Sequence, residues 1–332
     1  MSRVTETLFS FFEDGSLPGA PALFVNARAH PLLEQGVFTL QQGFKPWVRE
    51  LAAAGLQSSP EIPPGPYTAA FVLLPKNADE ARYDVARALA ALKDGGMLVC
   101  AGANDAGGKR AQKMLEDFGL DRMRQVSGNK AKAAGGWKNG MSDEAKKALE
   151  EGAPRLVEET DFVSQPGLFA WDRADKGSEI LAREIPEDLS GAGADLGCGY
   201  GFLSRLVLQH CKTVKSLTCV DADYRAVEAC KKNMNGMKPS VKYLWEDLTQ
   251  EIPGLRGLDF VVMNPPFHEG KKSNAEIGKA FVRRAAEALK SGGEMWMVAN
   301  VHLPYEKDIG ACFSKSEKFF EGGGYKILRA VK

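Results

Sequence analysis

Residues 192–210 read AGADLGCGYGFLSRLVLQH, and the change of period inside them decides the fold. Ala192 to Leu196 is a short apolar strand, Gly197, Gly199 and Gly201 turn the chain, and Phe202 to His210 is a helix. A glycine turn at this junction lets backbone approach a ligand closely, and Asp195 can take a cationic or hydroxyl group there. Alone the turn is weak evidence, because tight strand–helix turns need glycine anyway. The next strand, Ser216 to Val220, ends in Asp221. Acids about 20 residues beyond such a turn meet ribose hydroxyls in nucleotide-binding α/β folds, although a lone acid there is equally a helix cap. A third strand, Val241 to Trp245, leads into Glu246-Asp247, placed to accept from an adenine amino group. Polar ends on successive strands of one sheet edge are best explained by one nucleoside crossing that edge.

The hydride-transfer fingerprint G-x-G-x-x-G is not met, because Phe202 stands at its third glycine position. No phosphate-cradling Lys-Ser/Thr pair follows, so a P-loop is excluded too. What sets the chemistry is Asn264-Pro265-Pro266-Phe267-His268, directly after the buried run Leu258 to Met263. The prolines lack N–H donors and hold the backbone extended, so carbonyl acceptors lie beside the Asn264 side chain. An aromatic ring follows at once. Two acceptors and a ring suit a flat amine-bearing base, gripped at its N–H2 while the ring packs on its face. With the upstream turn, this reads as an S-adenosylmethionine-dependent N-methyltransferase. His268 is a positioning residue at best, since water can take the amine proton.

Strand-like and helix-like segments alternate through both halves, the α/β signature. In the first half, Pro21 to Val25, Ala69 to Leu74 and Met97 to Ala101 read as strands; Ala78 to Leu92 and Lys109 to Phe118 read as helices. Gly128 to Gly152 turns polar and Lys/Gly/Ala-rich, which sets domains of residues 1–150 and 151–332. In the second half Tyr224 to Asn235 and Ala275 to Lys290 read as helices, Glu294 to Ala299 and Tyr325 to Val331 as strands. ALKDGGMLVCAGAN (91–104) and ALKSGGEMWMVAN (288–300) nearly superimpose, so an internal duplication is expected. At the matching turn the first half reads Phe24-Val25-Asn26-Ala27-Arg28, with neither glycine spacing nor acid, so that half is expected to bind no cofactor. Its Lys109, Arg110, Lys113, Arg122, Arg124, Lys130, Lys132 and Lys138 form either a solvated face or an RNA-backbone contact.

Composition narrows the classes. The formal charge is +0 over 332 residues, which argues against a bulk electrostatic grip on nucleic acid and leaves room for a local basic face. The six cysteines include no C-x-x-C pair, so no zinc-ligand spacing is present and a reduced, cytoplasmic setting is expected. No window reaches the roughly 20 apolar residues of a membrane span, and no signal peptide is evident at the start.

At family level the chain resembles the two-domain bacterial ribosomal RNA guanine-N2 methyltransferases. The resemblance lies in Gly167-Leu168-Phe169 with Asp175-Lys176-Gly177-Ser178, in Asp195 to Gly201, in Asn264 to His268 with Gly270, and in Leu303-Pro304-Tyr305-Glu306. Leu74-Pro75-Lys76-Asn77 and Gly102 to Leu115 resemble the family's cofactor-free N-terminal twin. The resemblance implies two tandem Rossmann-like class I methyltransferase domains, each a mostly parallel seven-stranded sheet flanked by helices, the first degenerate. It implies that Asp195, Gly197, Gly199 and Gly201 hold the methionine end of S-adenosylmethionine, Asp221 the ribose and Asp247 the adenine. Asn264 and the Pro265 carbonyl would hold the guanine amine while Phe267 packs on the base, for direct in-line methyl transfer. Ala170-Trp171 departs from the small hydroxyl residue more usual there. The implied partner is ribosomal RNA or a partly assembled ribosomal subunit, met by a monomer or weak homodimer without a metal. The rival readings are a protein-glutamine methyltransferase, a DNA adenine-N6 methyltransferase and a non-catalytic RNA-binding assembly factor.

Overall fold

The computed structural model describes residues 2–12, 17–33, 37–266 and 272–332, the side chains of 272–275 excepted. The chain divides into two compact units, residues 1–154 with 165–167, and residues 155–164 with 168–332.

The first unit is built on β1 (Ala22–Val25), β2 (Phe38–Gln41), β3 (Ser58–Ser59), β4 (Tyr67–Leu73), β5 (Leu92–Ala103), β6 (Leu120–Gly128) and β7 (Ala131–Lys138). Helices α1 (Arg3–Phe9), α2 (Lys45–Ala53), α3 (Ala78–Ala91), α4 (Ala111–Asp117) and α5 (Asp143–Gly152) accompany them. The second unit opens on a small hairpin, β8 (Arg155–Val157) and β9 (Phe162–Ser164). Its main sheet comprises β10 (Gly191–Leu196), β11 (Val214–Asp221), β12 (Val241–Trp245), β13 (Leu258–Met263), β14 (Leu289–Asn300), β15 (Lys315–Gly322) and β16 (Tyr325–Val331). Its helices are α6 (Lys176–Glu184), α7 (Phe202–His210), α8 (Tyr224–Asn233), α9 (Lys272–Ala288) and α10 (Glu306–Cys312).

The two sheets have one topology. Their strand orders are β3-β2-β1-β4-β5-β7-β6 and β12-β11-β10-β13-β14-β16-β15. Six strands run in one direction in each, and only the second from the edge, β7 or β16, runs against them, pairing antiparallel with both neighbours. Each is the mostly parallel seven-stranded α/β sheet expected.

Central strands are mostly apolar because both faces are covered. Along β13, Phe260 and Val262 enter one core with Leu203, Val207 and Trp296, while Val261 and Met263 enter another with Phe281 and Val282. The alternation follows the two-residue period of a strand. Truncating a ring buried like Phe260, which is fully buried, costs about 3–5 kcal/mol.

Several limits shift from those read in the sequence. The strand read as Met97 to Ala101 is longer and includes Gly95-Gly96; α3 stops at Ala91 and β5 already runs from Leu92. A bulge in the β4–β5 register, between Tyr67 and Ala69, absorbs the glycines, and a Cβ on Gly96 would lie 3.0 Å from the Thr68 carbonyl. The second unit repeats the device: its register shifts between Leu258 and Phe260, and a Cβ on Gly293 would lie 2.9 Å from the Leu258 carbonyl. The polar stretch Gly128 to Gly152 is ordered structure, comprising β7 and α5. Lys109 to Phe118 is a short 3-10 turn, Gly108–Arg110, followed by α4.

Candidate active site

The carboxyl ends of β12, β11, β10 and β13 lie side by side, and each delivers a polar residue to one edge. In open α/β sheets this edge is where ligands bind. Asp195, the penultimate residue of β10, is fully buried. Its Oδ2 accepts from Ser204 Oγ at 2.6 Å, while its Oδ1 has no partner among the described residues. Burial pushes the Asp195 carboxyl well above the carboxylate range, the Cys219 thiol adds to this, and the Ser204 hydrogen bond opposes it.

The turn that follows has φ of +82° at Gly197, +54° at Gly199 and +91° at Gly201, values that strain any side chain with a Cβ. Gly197 and Cys198 N–H groups both donate to the Val220 carbonyl, at 2.8 and 3.0 Å, tying the turn to β11. A Cβ on Gly199 would meet nothing within 4 Å, so the turn borders open space there. A Cβ on Gly201 would lie 2.8 Å from Cys230 Sγ.

At the end of β11, Asp221 Oδ2 accepts from Gly199 N and Oδ1 from Asp223 N, both at 2.9 Å. Asp221 therefore holds the glycine turn; the cap of α8 is Asp223 instead, accepting from Arg225 N. Burial raises the Asp221 carboxyl to about 6 despite its backbone donors. Past β12, Asp247 is buried, and its Oδ1 accepts from Thr249 N at 2.9 Å and Thr249 Oγ1 at 2.6 Å. Trp245 Nε1 donates to the Ala222 carbonyl at 2.9 Å, and its ring meets Tyr224 edge-on at 5.3 Å. Trp245 is thus packed, as is the buried Trp296.

Asn264 closes the row at the end of β13, with Pro265 buried and Pro266 exposed. Asn264 Nδ2 donates to Asp175 Oδ2 at 2.7 Å and to Ser178 Oγ at 3.0 Å. Both amide hydrogens are spent, which leaves the side-chain oxygen as the group on offer. Phe267 and His268 lie outside the described residues. The structure thus brings Asp195, Gly197, Gly199, Gly201, Asp221, Asp247, Asn264 and Pro265 to one edge.

Reading of the residues alone missed three contributors. Asp175 and Ser178 were reachable as an Asp-x-x-Ser helix start, and Asp175 does cap α6, accepting from Ser178 N at 2.7 Å. Their contact with Asn264 carries no local signal. The Tyr200 hydroxyl, shared between the carbonyls of Ala170 at 3.3 Å and Arg173 at 3.1 Å, ties the glycine turn to the segment before α6.

The corresponding edge of the first unit is filled by its own side chains. Gln42 is buried; its Nε2 donates to the Ala27 carbonyl at 2.8 Å and its Oε1 accepts from Phe44 N at 2.9 Å. Asn26, at φ +57°, donates to Asp84 Oδ2 at 2.7 Å and to the Leu73 carbonyl at 3.1 Å. Arg28 forms a forked pair with Glu50 and lies 4.7 Å over the Trp47 ring. Of the basic residues there, Lys138 is structural: its Nζ donates to the Leu92 carbonyl at 2.6 Å. Lys109, Arg110, Lys113, Arg122, Arg124 and Lys130 are exposed and Lys132 half-buried. Lys113 pairs with Asp117, Arg122 pairs with Asp121 and covers Trp137, and Arg124 covers Phe11.

Among the described residues no group of three or more His, Cys, Asp or Glu side chains is placed to hold a metal ion. Among the described residues no helix is long and apolar enough to cross a membrane.

Comparison with known proteins agrees with this geometry. "Methyltransferase small domain" matches residues 159–329, and "Methyltransferase small domain N-terminal" matches residues 40–134. The ribosomal RNA small subunit methyltransferase C of Salmonella newport is 30% identical over 261 residues, covering 77% of this chain and 73% of that protein. Its counterpart in Salmonella choleraesuis is 29% identical over the same length and coverage. Among solved structures, the T. thermophilus 16S rRNA N2 G1207 methyltransferase (RsmC), in complex with AdoMet and guanosine, aligns with a TM-score of 0.83 at 24% identity. That alignment covers 100% of this chain and 92% of the other, so the fold is the two-domain class I methyltransferase fold throughout. Matched over both halves and by relatives at this identity, the chain belongs to the methyltransferase small domain family.

Proposed function

We propose that this protein transfers a methyl group from S-adenosylmethionine to the exocyclic N2 amine of a guanine in ribosomal RNA. The observation that carries the reading is Asn264, fixed beside the glycine turn with its amide hydrogens consumed and its oxygen left to accept. Relatives named for the small ribosomal subunit support small-subunit RNA, free or partly assembled, as the substrate.

The residues fit the cofactor. The unpartnered Asp195 Oδ1 and the open face at Gly199 suit a methionine ammonium group. Gly197 and Gly201 shape the turn around it, Asp221 stands where ribose hydroxyls would donate, and Asp247 where an adenine amine would. Bound there, S-adenosylmethionine supplies an electrophilic methyl group. Asn264 and the Pro265 carbonyl accept the two amine hydrogens, which turns the nitrogen lone pair out of the base plane toward the donor. Phe267, which lies outside the described residues, is the ring that the sequence alone assigns to the base. Catalysis is mainly positioning, worth about 7–11 kcal/mol in favourable cases. Water takes the released proton. A guanine inside a helix is out of reach, so the base is unpaired or flipped.

Exposed Arg124 and Lys130, with Lys132, contribute phosphate contacts from the first unit, which itself holds no cofactor. Work in the cytoplasm as a monomer or weak homodimer completes the reading, and the free thiols support a reduced compartment. The test is transfer of labelled methyl to naked ribosomal RNA, small subunits, DNA and protein, followed by nucleoside analysis. N2-methylguanosine from ribosomal RNA is the expected product. Label on adenine or glutamine would replace this reading with one of its rivals.

A further inference from the structure

We infer that Asp175 is a positioning residue for the reaction: its carboxylate decides which way round the Asn264 amide sits. The inference rests on the reading of Asn264 as the group that grips the substrate amine. An amide has a donor end and an acceptor end of nearly equal shape, and only its partners choose between them. Ser178 Oγ, 3.0 Å away, can donate or accept, so it leaves the choice open. Asp175 Oδ2, at 2.7 Å, is an acceptor when ionised and admits only the nitrogen. A flipped Asn264 would set oxygen against carboxylate oxygen on one side and offer N–H groups to the substrate's own N–H groups on the other. Both faults disappear in the observed orientation.

Asp175 is itself held. It caps α6 through Ser178 N at 2.7 Å. A Cβ on Gly177 would lie 3.0 Å from the Tyr325 ring and 3.3 Å from Asp175 Oδ2, so the ring closes over that first turn. The carboxylate is therefore a fixed reference against which the amide is set, 89 residues away along the chain.

Capping and positioning separate by mutation. Asp175→Ser keeps a capping hydroxyl but is too short to reach Asn264, so thermal stability should stay near wild type. Its kcat should fall about 30-fold or more, with KM for the cofactor changed less than about threefold, as expected when an oriented group loses its support. Asn264→Asp sets two carboxylates face to face. Adding Asp175→Asn restores a donor opposite an acceptor and should recover kcat at least about tenfold over Asn264→Asp alone. A serine variant with near-normal kcat, or a swap no better than the single change, would overturn the assignment. A second readout is independent of the substrate. The Asn264 side-chain amide resonance, identified by its loss in Asn264→Ala, should exchange its protons at least about tenfold faster in Asp175→Ser. Unchanged exchange would refute the role of Asp175 whatever the enzyme methylates. Absence of guanine methylation by the wild type would instead refute the proposed function and leave the exchange result to judge Asp175.

Discussion

The two units share one strand order, yet at the matched strand ends the second keeps an unpartnered Asp195 oxygen where the first has Phe24, and the first ties Asn26, Arg28 and Gln42 to its own groups. Register makes the comparison residue by residue. Leu196 pairs with Val220 and Met263 as Val25 pairs with Gln41 and Val72. Asp195 therefore corresponds to Phe24, Gly197 to Asn26, Gly199 to Arg28, Asp221 to Gln42 and Asn264 to Leu73. Each exchange removes an acceptor or fills the space a ligand would need. Gln42 shows the principle most clearly. Like Asp221, it accepts from the backbone N–H two residues on, but its extra N–H2 reaches back to the Ala27 carbonyl and ends its availability. A sheet edge becomes a binding site only where its polar groups are left partly unsatisfied, and at the positions matching Gly197, Gly199 and Asp221 the first unit has satisfied its own through Asn26, Arg28 and Gln42.

The sharpest way to break the comparison is Asn264→Ala, which makes the second edge apolar where the first has Leu73. Methyl transfer should fall by about 10³-fold while cofactor affinity holds, measured by a transfer assay beside calorimetry. Asp221→Gln copies Gln42 into the second unit. Cofactor affinity should drop about 30-fold or more by calorimetry, because charged acceptors bind roughly twice as strongly as neutral ones and the new amide adds a competing donor.

A pH series gives the next effect. The folded-state Asp221 carboxyl sits at about 6, above its ordinary 3.8, so it takes up a proton in the folded protein first as pH falls. Between about 6 and 3.8 this stabilises the free protein relative to the unfolded chain, while the ribose loses an ionised acceptor. Cofactor affinity should fall about tenfold from pH 7 to 5, and Asp221→Asn should flatten that dependence. Gln42→Asp in the first unit should be felt in stability alone. It sets a carboxylate against the Ala27 carbonyl at a cost of about 1–3 kcal/mol, read as a lower unfolding midpoint. The smallest effect is expected of Lys130→Ala with Lys132→Ala: RNA affinity a few-fold weaker and a salt slope reduced by about one or two.

Legibility in the sequence followed purity of period. Phe202–His210, Val241–Trp245, Leu258–Met263 and Tyr325–Val331 lie where they were read, because nothing in them competes with the dominant pattern. β7 was hidden by its small residues. A Cβ on Gly135 would lie 2.8 Å from the Phe11 ring and 2.9 Å from Val99, so packing selects glycine where composition suggests a linker. At the site, residues that end a strand were legible because sheet geometry alone carries them to the edge. The grip of Asp175 on Asn264 was not, since tertiary packing makes it and no local propensity records it.

The paired glycine bulges, at Gly96 under Thr68 and at Gly293 under Leu258, have a genetic consequence. A crossover joining the halves at these segments would splice like to like, since β5 and β14 have one length and one kink. Recombinants exchanged there should fold, and whether they still work would depend only on which sheet edge they inherit.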